Sequence, residues 1–159
     1  MPQIKEIMRY LGKALQYISL GMTLGCILTI GPIVAPSVFY NIERANAIGL
    51  MNIIFSKVTV MLLALLAVFL LGSVLKVLSA ATPKRTKKSV VTFIFSIVFA
   101  AVSLYNLCAV TPKIAELVAE GHIKNMTAET PEFKTLHENS RRLFMGEAGL
   151  SLILILLLI

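Results

Sequence analysis

Charge along this chain is confined to a few short stretches, and the intervals between them are long. No Asp, Glu, Lys or Arg occurs between Lys13 and Glu43, between Lys57 and Lys76, or between Lys88 and Lys113, and only Glu147 interrupts the last 17 residues. A helix that crosses the hydrocarbon core needs roughly 20 apolar residues. The pattern therefore predicts four spans, at about 14–38, 52–75, 89–110 and 143–159. The last is short, yet at ~1.5 Å per residue it covers most of a ~30 Å core. The expected fold is all-α: a four-helix transmembrane bundle forming a single integral membrane domain over 1–159.

The connection between spans 3 and 4 carries its own helix signals. Thr111-Pro112 reads as an N-cap followed by proline at the first helical position, with Gly121 as the stop. Thr130-Pro131-Glu132 repeats that start. From there Phe133, Leu136, Ser140, Leu143 and Phe144 recur at helical spacing, so the second helix should run unbroken into span 4. The expectation is a long helical extracytoplasmic connection.

Span 1 contains an apparent defect, Pro32 and Pro36 in "TIGPIVAPSVF". An interior proline removes a backbone donor and clashes with the carbonyl one turn back, at about 3 kcal/mol or more. At 100° per residue, Gly21, Gly25, Thr29, Pro32 and Pro36 share an arc of about 80°. Gly21 and Gly25 form a GxxxG pair, a spacing that lets helix backbones approach closely, and are the expected packing face. Polar stripes run along the other spans: Gly49, Asn52, Ser56 and Thr59; Thr92, Ser96, Ser103 and Asn106; Ser140, Glu147 and Ser151. Alternating spans bring Pro32, Pro36, Asn41, Asn52, Lys57, Asn106 and Glu147 near one membrane face. They form a candidate polar pocket at the extracytoplasmic end, which the prolines open or bend.

Composition agrees with this class: 57% of residues are hydrophobic, 14% are charged, and the mean hydropathy is +0.86. The net charge of +7 is no nucleic-acid signature, because Lys84, Arg85, Lys87 and Lys88 crowd a short loop between spans, where orientation signals belong. With Lys5, Arg9, Lys13 and Lys76 they oppose Arg44, Lys57, Lys113, Lys124, Lys134, Arg141 and Arg142, which favours cytoplasmic termini in an inner membrane of bacterial type. The run after Lys13 exceeds the ~7–15 residues of a cleaved signal's apolar core, so span 1 is read as retained. Asn125-Met126-Thr127 is a formal glycosylation sequon with nothing beside it to support that use.

No cofactor or metal is expected. The histidines, His122 and His137, lie in the long connection rather than among the spans, which argues against a bundle haem. Cys26 and Cys108 fall at different depths by span position and read as small apolar residues. His137 with Glu138 is either a catalytic pair or a solvated helix face. Ionisable residues inside spans are functional candidates, and here they are Glu147 and Lys57. Two readings are open: a structural ion pair, or a site that handles protons or cations.

Three stretches, "GPIVAPSVF" at 31–39, "GLMNIIFSK" at 49–57 and "FKTLHENSRRLF" at 133–144, resemble a four-span membrane protein family of unknown function. That group is related to transmembrane protein 205 and labelled domain of unknown function 4149. The resemblance implies an all-helical membrane protein with no assigned reaction. Pro32, Pro36, Phe39, His137 and Ser140 match its motif positions, whereas Phe144 stands where members often place asparagine. The expected function is a small transporter- or permease-like bundle in the lipid bilayer. A homo-oligomer is expected, since four short helices enclose little room for a pathway. The alternative is a structural or accessory subunit among other membrane subunits; an intramembrane enzyme has least support.

Overall fold

The computed structural model describes residues 2–79, 87–119 and 131–159. They fold as α1 (Pro2–Thr29), a π-helical turn (Ile30–Val34), α2 (Ala35–Asn41), α3 (Arg44–Ser79), α4 (Lys87–Tyr105), a second π turn (Asn106–Val110), α5 (Thr111–Ala119) and α6 (Pro131–Leu158). Three runs are long and apolar enough to cross a bilayer: Gln3–Asn41, Asn46–Ser79 and Val90–Ala119. In α6, Arg141, Arg142 and Glu147 leave no equally long stretch free of charge. The loop at 80–86, Gly121, the sequon at 125–127 and Thr130 lie outside the described residues.

Helix α1 packs on α3 and α6, α6 packs on α4, and the α4–α5 run closes back on α3. One core layer draws on all four long helices: Leu20, Leu66, Phe69, Phe99, Leu154 and Leu158. Phe69 and Phe99 meet edge to face at 5.2 Å and 70°, a geometry worth ~0.5–1.5 kcal/mol beyond area burial. A second layer joins Leu62, Leu65 and Leu107, flanked by Cys26 and Phe144.

The expected helix start at Thr111 is not a start. The helix passes straight through it, with Thr111 itself at φ −62°, ψ −44°. Its N–H reaches back five residues to the Asn106 carbonyl, and the Ala35 N–H likewise reaches Ile30. Each π turn ends two residues before a proline, at Val34-Ala35-Pro36 and Val110-Thr111-Pro112. A proline ring would strike the carbonyl four residues back in a regular helix. One extra residue in the preceding turn moves that carbonyl away, which is why both helices widen there and continue. Pro131 does begin α6, at the first helical position with Glu132 in the first turn.

Gly21 and Gly25 are not where the helices of this chain meet. Both are exposed, and among the described residues no other part of the bundle comes within 4 Å of a notional Cβ. The close approach is between Gly12 and Gly72, where a Cβ on either would stand 2.7 Å from the other's carbonyl oxygen. Gln16 and Lys76, each four residues beyond its glycine, close the crossing. Lys76 Nζ donates to Gln16 Oε1 at 2.9 Å and Gln16 Nε2 donates to Ser73 Oγ at 2.7 Å.

Alanine at these glycines should act with opposite signs. Gly12→Ala and Gly72→Ala force the backbones apart and should each destabilise by about 1–3 kcal/mol. Gly25→Ala enters open space and should be neutral or gain up to ~1 kcal/mol of helix propensity. Thermal unfolding of the purified variants in one detergent checks this, and equal melting temperatures would refute the crossing.

Candidate functional site

Ser140 and Glu147 stand seven residues apart on α6, two turns along one face. Between them in space sits Asn106, the first residue of the second π turn. The Ser140 hydroxyl donates to Asn106 Oδ1 at 3.2 Å, and Asn106 Nδ2 donates to Glu147 Oε1 at 3.2 Å. Both ends of the amide are engaged, which fixes its orientation. Asn106 is 0% exposed, Glu147 1% and Ser140 7%.

The carboxyl group lies deep rather than at a bundle end. Leu107, beside Asn106, packs on Leu62 and Leu65, and these stand halfway along α3 (Arg44–Ser79). The facing register of α4–α5 and α6 is antiparallel: Lys113 approaches Glu132, Asn106 touches Glu147, and Phe99 clusters with Leu154. In that register Ser103 and Ser151 fall between the last two contacts, each about one turn along its helix from Asn106 or Glu147. Both are buried, and among the described residues neither hydroxyl has a hydrogen-bond partner.

The remaining sequence candidates do not join this cluster. Pro32 and Pro36 are exposed. Asn41 is exposed and donates to the Ser37 carbonyl at 2.8 Å, within its own helix. Asn52 is half-buried. Lys57 is exposed and, among the described residues, forms no ion pair with Glu147, so of the two open readings the ion pair is not formed and the carboxyl group has an amide partner. The reason is rotational: on α3 the inner face is Ala47, Met51, Leu62, Leu65, Leu66 and Phe69, while Gly49, Ser56 and Lys57 point outward. His137 is exposed and stacks on Phe133 at 5.7 Å. Cys26 and Cys108 are free thiols at closer levels than their span positions imply, since Cys26 packs on the layer that contains Leu107, though Cys108 is exposed.

Sequence reasoning misses the Gln16, Ser73 and Lys76 cluster, because Lys76 reads there as an orientation charge. The available signal is a glycine four residues before a long polar side chain, on both helices: Gly12 before Gln16 and Gly72 before Lys76.

A carboxylate deep in a bundle is costly, at about 2.5–3.5 kcal/mol on insertion scales. Among the described residues no cationic side chain is paired with Glu147. Its chemistry is thus that of a single carboxyl group held by one amide, with hydroxyls one turn away. No group of three or more His, Cys, Asp or Glu side chains able to hold a metal ion occurs among the described residues.

Residues 18–123 match the sequence profile of a family described as Domain of unknown function (DUF4149). The chain belongs to that family. No curated protein and no solved structure matches it.

Replacing Asn106 by Leu leaves the Glu147 carboxyl buried with no donor from the amide. This should cost about 1–3 kcal/mol, and Asn106→Leu combined with Glu147→Leu should recover much of it. Lys57→Met should leave stability within about 0.5 kcal/mol, as for exposed positions generally. Melting temperatures of the wild type and these three variants decide the matter. A large Lys57→Met effect would restore the ion pair.

Proposed function

We propose that this member of the DUF4149 family is a small permease-like membrane protein whose transported or coupling charge, a proton or cation, is taken up at Glu147. One observation carries this reading: Glu147 is buried among neutral partners and hydrogen-bonded to Asn106 at a π turn. Buried ionisable groups within spans mark ion and proton pathways, and π turns recur at functional sites. In this reading α6 is the fourth span. Its Glu147 faces the other helices rather than lipid, residues 148–158 carry no charge, and α6 lies along both α1 and α4. His137 and Ser140 sit where α6 enters the bundle.

A second reading, an accessory subunit or homo-oligomer, is favoured by a different feature. Met22, Gly25, Cys26, Thr29 and Ile30 form an open groove on the outer side of α1, beside Gly21. Small residues facing outward on a span suit the close approach of another helix. Mass measurement of the detergent-purified protein separates a homo-oligomer from a complex with a different subunit.

Proteoliposomes carrying an entrapped pH dye or a cation dye test the transport reading. Wild type should show a flux that Glu147→Gln lowers at least tenfold. The introduced amide oxygen would still accept from Asn106, so the variant should melt near wild type. Full flux in a folded Glu147→Gln protein would end the proposal. Orientation has its own measurement: in a background with Cys26→Ser and Cys108→Ser, an impermeant maleimide added to cells should label Lys134→Cys and spare Ser89→Cys. The reverse pattern would invert the termini.

A further inference from the structure

The orphaned hydroxyls of Ser103 and Ser151 single out what Glu147 binds. A buried polar group without a hydrogen-bond partner costs roughly 1–3 kcal/mol. Two of them, one on α4 and one on α6, lie at matching positions of the antiparallel register, each one turn along its helix from Asn106 or Glu147, between the Phe99–Leu154 layer and the Leu107–Phe144 layer. A proton on Glu147 alone would leave both hydroxyls unexplained, since it needs no further ligands.

We propose that Glu147, Ser103 and Ser151 form a binding site for a small monovalent cation, Na⁺, with the remaining coordination positions filled by water. The inference rests on the reading of Glu147 as a charge-handling group and names its ligand. Three arguments select this class. The donors are hard oxygens, a carboxylate and hydroxyls, which suit hard cations rather than soft ones. The net donor charge is one negative, so a monovalent ion neutralises it, whereas a divalent ion would leave a buried positive charge at a similar insertion cost. The apolar layers immediately above and below, with Phe99 and Leu107 nearly fully buried, confine the site and favour the smaller alkali ion. Asn106 has a positioning role: its amide holds one carboxyl oxygen by Nδ2 and leaves the other to the ion.

The test is thermal unfolding of the full-length purified protein in NaCl, KCl or choline chloride at one ionic strength. A ligand that binds only the folded state raises the melting temperature by mass action. NaCl should raise wild type by on the order of 5 °C over choline chloride, and more than KCl does. Ser103→Ala with Ser151→Ala removes two hydroxyls that have no partner among the described residues. This protein should therefore fold and melt in choline chloride at or above wild type, with the NaCl increment gone. Glu147→Gln should lose the increment as well. Identical wild-type melting in the three salts overturns the site. So does a sodium increment that survives both serine substitutions. A Glu147-dependent proton flux without any sodium increment would remove this inference and leave the transport reading standing. A serine-dependent increment with no Glu147-dependent flux would do the opposite.

Discussion

Everything in this fold is arranged around a place where two backbones nearly touch, the crossing of α1 and α3 at Gly12 and Gly72. In lipid, apolar side chains gain little by leaving one hydrocarbon environment for another, so helices associate through close packing and interhelical hydrogen bonds. Each glycine's missing Cβ leaves room for the other's carbonyl oxygen. The contact then seats Gln16 against Ser73 and Lys76, which commits a lysine's charge to a neutral amide inside the helix pair. With α1 and α3 so fixed, Leu20, Leu66 and Phe69 form the surface that α4 and α6 cover with Phe99, Leu154 and Leu158.

The second helix pair is held differently. Where α1 and α3 use bulk removed, α4 and α6 use polarity added: Ser140, Asn106 and Glu147 in one chain of hydrogen bonds, with Ser103 and Ser151 beyond it. A bundle that needed only adhesion would be served as well by apolar side chains of the same size, since replacing buried ionic groups in that way is often neutral or stabilising. Keeping a carboxyl group at that depth therefore argues for work done there.

Much of this is legible in the sequence, and the failures share a cause. Long uncharged intervals locate the apolar helices, and the stripe of Ser140, Glu147 and Ser151 read from α6 is buried along its length. The helical wheel through Gly21, Gly25, Thr29, Pro32 and Pro36 groups residues that are all exposed, so it fails only in taking that face for one that packs within the bundle. Small residues mark a face that another helix is able to approach, not which helix does so. Gly12 and Gly72 carry the same signal nearer the span ends, where the neighbouring charges point to orientation instead. Asn106 and Glu147 both stand out in the sequence, but as members of a pocket of seven. Which pairs meet depends on how α6 rotates against α4, and that rotation is set by packing rather than by any local pattern.

The two widened turns also decide which part of the molecule a change of length would move. One residue added to a helix rotates everything beyond it by about 100° and advances it by about 1.5 Å. At Ile30–Val34 that rotation is absorbed before α2, so α1 stays seated against α3 while Pro36 to Asn41 turn as a separate piece. Loss of a single residue there would regularise the ladder and swing only that short outer segment. The same loss between Leu107 and Val110 would leave Asn106 seated on Glu147 and swing α5, whose Lys113 lies 4.0 Å from Glu132 of α6. A change of length at either turn therefore acts on the segment that follows it, α2 in the first case and α5 in the second, and returns a proline ring to the carbonyl that the wider turn had moved clear of it.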